Sequence, residues 1–288
     1  MKNIILAAFW GILMSIFPAS HSSAENRLIL PDGIYYHRFT SITFGPEAVW
    51  INPAGLGFNK AMSVQMIGEI YESKLSKNWG FNVTGDGVGI AYRSLDEIRV
   101  NDTVSGKYTE LTISGGKMLS NSIAGGMTFT YIKNAPDQYE KKNLWAIGLV
   151  AKPQSKFTYG LVFSNLGKAK FDGHKTDFEQ FYSLTYEATP QIYLTTEMSL
   201  SGGQSLKEAV FNYGVDVHPM EGLYLYGNWK DGEGYEIGLR MNLLQYFIGG
   251  QSRHNKDNEH IGTSIYGGYV AEKQDSIIKE KKPPSSNY

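Results

Sequence analysis

About fourteen short segments, in which apolar and polar residues alternate with a period of two, constrain this chain more than any other feature. Ala209, Phe211, Tyr213, Val215 and Val217 share one face of such a segment, opposite Asn212, Gly214 and Asp216. From Tyr235 to Leu243 the polar face carries Glu236, Arg240 and Asn242, and from Ile192 to Leu200 it carries Glu197. Ile123, Gly125, Met127, Phe129 and Tyr131 face away from Thr128 and Thr130. A helix would scatter these residues around its surface, so the segments read as strands. The predicted strands are 63–71, 77–84, 87–95, 107–117, 122–133, 143–151, 156–164, 179–187, 191–200, 207–217, 222–229, 234–243, 245–252 and 260–270.

The connections alternate in length. Odd strands are followed by longer stretches such as Asp96 to Gly106, Asn134 to Lys142 and Asn165 to Phe178. Even strands are followed by tight ones such as Gly85-Asp86, Leu119 to Asn121, His218 to Glu221 and the single Leu244. A soluble sandwich has no reason to keep that parity, whereas an outer-membrane barrel does, with turns on the periplasmic side and loops outside. Aromatic positions agree. Tyr71, Tyr131, Trp229, Trp79, Tyr108, Trp145 and Tyr235 fall at one strand level, and Phe157, Tyr159, Tyr186, Tyr193, Tyr224, Tyr246 and Phe247 near the other, as two interfacial belts would. The fold class expected is an all-β, transmembrane antiparallel barrel of about fourteen strands with an N-terminal plug.

Composition fits. There are 32 Gly and 19 Tyr, charged residues make up 19% of the chain, and the net charge of −1 offers nothing to nucleic acid. No Cys is present, which excludes a lipidated N-terminal cysteine and any disulfide framework. Met1-Lys2, the apolar run Ile4 to Phe17 and the small residues Ser22-Ser23-Ala24 read as an export signal over 1–24. Residues 25–60 then form the plug, 61–270 the barrel, and the charged, proline-ending stretch 271–288 a disordered periplasmic tail that is a plain solvated terminus rather than a docking arm.

Within the plug, Val49 to Phe58 holds Asn52-Pro53-Ala54-Gly55-Leu56. Asn suits a helix N-cap, Pro the first helical position and Gly the end, so Asn52 to Gly57 predicts one capped helical turn. Eight strands close on their own side chains, but fourteen enclose a lumen that something must occupy. The lumen-facing candidates are Gln65, Glu69, Glu110, Glu197, Asn212, Asp216, Glu236, Arg240 and Asn242, with Arg240 expected to pair with an acid or with the plug.

The segment Phe44 to Gly57, carrying Asn52, Pro53, Ala54, Gly55 and Leu56 ahead of about fourteen strands, resembles the N-terminal hatch of FadL-type outer-membrane transporters and the related PorV/PorQ proteins. The resemblance implies a plugged fourteen-stranded barrel. For the FadL branch it implies passive uptake of hydrophobic compounds such as fatty acids, and for the PorV/PorQ branch a non-conducting assembly or secretion partner. The outer loops are shorter and more polar than the greasy landing groove of FadL-type transporters. Expected partners are outer-membrane lipids, the barrel assembly machinery and a hydrophobic small molecule, with no cofactor and no nucleic acid. Gly85-Asp-Gly-Val-Gly89 reads as a hairpin turn, because no helix follows it. His254, Asp257, Glu259 and His260 read as a solvated loop rather than a metal site. None of the six His sits within a strand beside a serine nucleophile, so no enzyme is expected.

Overall fold

The computed structural model describes residues 28–29, 39–71, 74–95, 99–100, 103–104, 108–133, 139–141, 143–152, 156–167, 170–171, 174–175 and 178–272. The expected signal peptide, most of the plug before Phe39 and the tail beyond Glu272 lie outside the described residues. The strands of the barrel are β1 (Ser63–Tyr71), β2 (Lys74–Gly85), β3 (Val88–Leu95), β4 (Tyr108–Ser120), β5 (Ile123–Lys133), β6 (Asn143–Ala151) and β7 (Phe157–Ser164). They continue as β8 (Glu179–Thr189), β9 (Ile192–Ser201), β10 (Val210–Met220), β11 (Leu223–Lys230), β12 (Gly234–Leu243), β13 (Tyr246–Asn255) and β14 (His260–Val270). Each pairs antiparallel with its neighbours in sequence, and β14 pairs with β1 from Ser63↔Val270 to Ile70↔Thr263. The fourteen-stranded sheet is therefore closed, which leaves no unpaired edge. Two small three-stranded sheets lie apart from it, one built from Leu28–Ile29, Arg99–Val100 and Thr103–Val104, the other from Tyr139–Lys141, Lys170–Phe171 and His174–Lys175.

Local chemistry sets the turns. Asp86 and Gly87 sit at φ 46° and 80°, as the tight hairpin read from the sequence requires. Several strands run past their expected ends, Lys74–Gly85, Tyr108–Ser120 and Tyr246–Asn255 among them, and both ends of β10 shift for a local reason. Ser205 and Glu208 form a capping box around a short 3-10 turn, Leu206–Glu208, which delays the start of β10 to Val210. At its other end β10 continues through His218 and Pro219 to Met220, and the turn moves to Glu221-Gly222, where Gly222 at φ 79° supplies the reversal.

The alternation read along the strands divides outward from inward. Trp79, Trp145 and Trp229 point outward and are 43%, 42% and 49% exposed, as are Phe157, Tyr186 and Tyr246 toward the opposite strand ends. Tyr193, Tyr224 and Phe247, expected in the second belt, instead share faces with Glu197, Asn228 and Gln251 and turn inward. Position along a strand fixes depth, but only parity fixes the side. On the outward face, Leu239 lies near the middle of β12 and is exposed. Leu239→Arg is expected to lower the stability of the vesicle-inserted barrel by about 2–4 kcal/mol, read by urea unfolding.

Candidate functional site

The chain ahead of β1 folds against the inner wall, beginning with two short 3-10 turns, Pro46–Val49 and Pro53–Gly57. Asn52 caps the second. Its extended backbone (φ −144°) frees the side chain, and Oδ1 accepts from the Ala54 amide at 3.1 Å. Its Nδ2 donates to Thr40 O at 2.7 Å and to Leu149 O of β6 at 3.3 Å. One fully buried amide thus caps the turn, ties the segment to itself and ties it to the wall. Asn52→Ala is expected to weaken this docking by about 2 kcal/mol, seen as roughly thirtyfold faster hydrogen exchange at Ala54 and Gly55.

The wall is shaped to receive that turn. Gly126 of β5 is the cross-strand partner of both Gly116 of β4 and Gly148 of β6, making a bare patch three strands wide. The Pro53 backbone lies where a Cβ at Gly126 would stand, and the Asn52 side chain where one at Gly148 would. Ala54 packs there with Ala124 and Val150. Farther along, Gly160 lies beneath Thr40 and Ser41, and Gly214 beneath the Phe39 ring. Residues 39–57 therefore run around the inner wall from β10 to β4.

Polar contacts complete the seat. Glu197, only 3% exposed, accepts from Thr40 twice, through N at 2.9 Å and Oγ1 at 2.8 Å. The Ser41 hydroxyl lies 2.7 Å from those of Ser183 and Thr185, and Ser114 donates to Val49 O at 2.9 Å.

The other lumen-facing candidates lie on inward faces. Gln65 accepts from Asn82 at 2.9 Å, and Glu110 from Arg93 at 2.5 Å. Glu69 pairs with Arg253, reached across β14 where Gly262 has no side chain to intervene, and accepts from Asn78 at 2.8 Å. Glu236 accepts from Gln251 at 2.5 Å and from Asn228 at 3.4 Å. Arg240 donates Nε to Asn242 at 3.0 Å and lies 4.2 Å from the centroid of the Phe247 ring. Asn212 is buried on β10, on the same face as Asp216 and opposite Glu197 in register. Asn82, Arg93, Asn228, Gln251 and Arg253 also face inward, on β2, β3, β11 and β13, strands that carry none of the lumen-facing candidates, and register puts them opposite inward positions of the neighbouring strands. His254 and His260, expected in a solvated loop, instead sit on β13 and β14. His254 stacks on Tyr235, meets His260 edge-on at 5.5 Å and lies 3.1 Å from the Ser252 hydroxyl. One histidine thus does stand within a strand beside a serine, because β13 runs on to Asn255. Among the described residues, no group of three or more His, Cys, Asp or Glu could hold a metal ion.

A closed antiparallel barrel with an apolar outward face and a polar inner one defines the class. It is an outer-membrane β-barrel, in which closure pairs each strand on both sides. Among solved structures, the chain is similar to CymD, a monoaromatic hydrocarbon channel, with a TM-score of 0.57 and 8% identity over 88% of this chain and 99% of that one. It is also similar to the toluene transporter TbuX of Ralstonia pickettii, with a TM-score of 0.54 and 9% identity over 88% and 99%. The shared feature is the fold, which fits the FadL-type layout that the hatch residues resemble. No family model matches the chain, and no curated protein does.

Proposed function

We propose that the protein is a passive outer-membrane channel for small hydrophobic molecules, with residues 39–57 as the working part of a hatch across its lumen. The observation that carries this reading is the seat. The segment is held by hydrogen bonds and by backbone against glycine, and its covalent tie to the wall is the chain itself running into β1, so its seating is reversible. The fold shared with a monoaromatic hydrocarbon channel and a toluene transporter supports a hydrophobic cargo. Lipid would solvate the outward apolar face, and the barrel assembly machinery would insert it. Glu197, Glu110 and Glu69 are engaged in docking and pairing, which suits a transit path through the polar lumen.

Proteoliposomes loaded with a toluene-binding dye test this reading. Wild-type barrel is expected to speed toluene arrival over empty liposomes, and deletion of 31–60 to speed it further. No acceleration by either protein would overturn the channel reading and leave the non-conducting, PorV/PorQ-like role of an assembly partner.

A further inference from the structure

The hatch paves the inner wall from β10 to β4, and where it ends, from β10 to β12, the wall carries polar groups that its seating does not use. Asn212 and Asn228 are buried at 2% and 7% exposure, and the Oδ1 atom of each has no hydrogen-bond partner among the described residues. For Asn228 the amide orientation is set, because its Nδ2 donates to Glu236. What remains free on it is therefore an acceptor.

Register gathers these groups. Asn212 stands opposite Glu197, Asn228 opposite Glu236, and Gly214, two residues along from Asn212, opposite Asn228. The Phe39 ring covers Gly214, and the Tyr226 ring covers Gly238, so two aromatic rings border the same patch. Arg253, opposite Glu236 in register, extends its guanidinium to Glu69 across the gap at Gly262. The patch thus combines the Glu236 carboxylate, two acceptor carbonyls and two aromatic rings, while Glu197 is taken up by Thr40, Arg253 is turned to Glu69, and Lys230, opposite Asn212 in register, pairs with Glu233. Carboxylates and carbonyls accept hydrogen bonds, and ring faces attract positive charge.

We propose that this bay binds a small organic ammonium, its N–H groups donated to Asn212 Oδ1, Asn228 Oδ1 and the Glu236 carboxylate, and its carbon frame against Phe39 and Tyr226. A carboxylate of the same size would meet acceptors and like charge. The bay therefore favours an amine over the acid or the alcohol of the same shape. The assignment depends on the channel reading only for how the ligand arrives, and equilibrium binding separates the two.

The experiment titrates benzylammonium, benzyl alcohol and benzoate at neutral pH into the purified full barrel in detergent micelles, by calorimetry. Benzylammonium is expected to bind about tenfold more tightly than benzyl alcohol, with benzoate weakest, since hydrogen bonds to a charged group are the stronger ones. Glu236→Gln, which preserves shape, and Asn228→Leu are each expected to remove about that tenfold preference, with the barrel's heat-dependent gel shift retained as evidence of folding. Absence of benzylammonium binding, equal binding of the three ligands, or unaltered preference in Glu236→Gln would each overturn the proposal. Binding without toluene flux would retain the site and discard the channel, and flux without binding would do the reverse.

Discussion

Gly148→Leu is expected to unseat the hatch while leaving the barrel closed. The Asn52 side chain occupies the space a leucine would need, and the neighbouring strand offers no slack because Gly126 is itself covered by Pro53. Forcing a side chain into a filled site costs about 1–3 kcal/mol, and the cap and two donated bonds of Asn52 are lost with it. Together these weaken docking by about 4 kcal/mol, close to a thousandfold in the docked-to-free ratio. The bulk lies inside the lumen, where it breaks no ladder bond, so strand pairing survives. Planar-bilayer recordings are the check: current rising about tenfold or more over wild type, with the gel shift unchanged, is the expected result. Unchanged current and unchanged protease resistance of residues 39–57 would mean that the glycine patch does not carry the hatch.

Glu197→Ala acts at the other end of the segment. Thr40 donates both its amide and its hydroxyl to the Glu197 carboxylate in a buried setting, and alanine leaves both donors without it. Hydrogen bonds to a charged group contribute about 1.5–3 kcal/mol each, so the loss is about 3–6 kcal/mol at this end. Glu197→Gln keeps an acceptor and is expected to lose about half as much. Hydrogen exchange at Thr40 and Ser41 reads the difference. Rates accelerated in the order Ala over Gln over wild type are expected, with Ala54 disturbed less because the Asn52 cap holds it independently. Equal protection in all three proteins would place the anchoring elsewhere.

The strands were legible because alternation is a local property. Ala209, Phe211, Tyr213, Val215 and Val217, or Ile123, Gly125, Met127, Phe129 and Tyr131, suffice to show which side of a strand is apolar. The capped turn was legible for the same reason, since Asn52, Pro53 and the following glycines set it within six residues. Its receptor was not. The patch comes from Gly116, Gly126 and Gly148 on three strands, and only the register shows that they are partners. The one available signal was a glycine at an inward position of an alternating strand, as at Gly126 beside Thr128. The Thr40–Glu197 contact joins residues 157 apart, beyond anything spacing can reveal. Tyr193, Tyr224 and Phe247 went astray because depth along the strand was read without parity.

The absence of cysteine makes a direct measurement possible. The Ser41 and Ser183 hydroxyls lie 2.7 Å apart, within reach of a disulfide if both are replaced. In the double variant Ser41→Cys with Ser183→Cys, the account predicts a cross-link on mild oxidation, little current while it is intact, and recovered current on reduction. Failure to form the cross-link in the folded barrel, or the same current before and after reduction, would contradict the claim that this segment is a removable hatch.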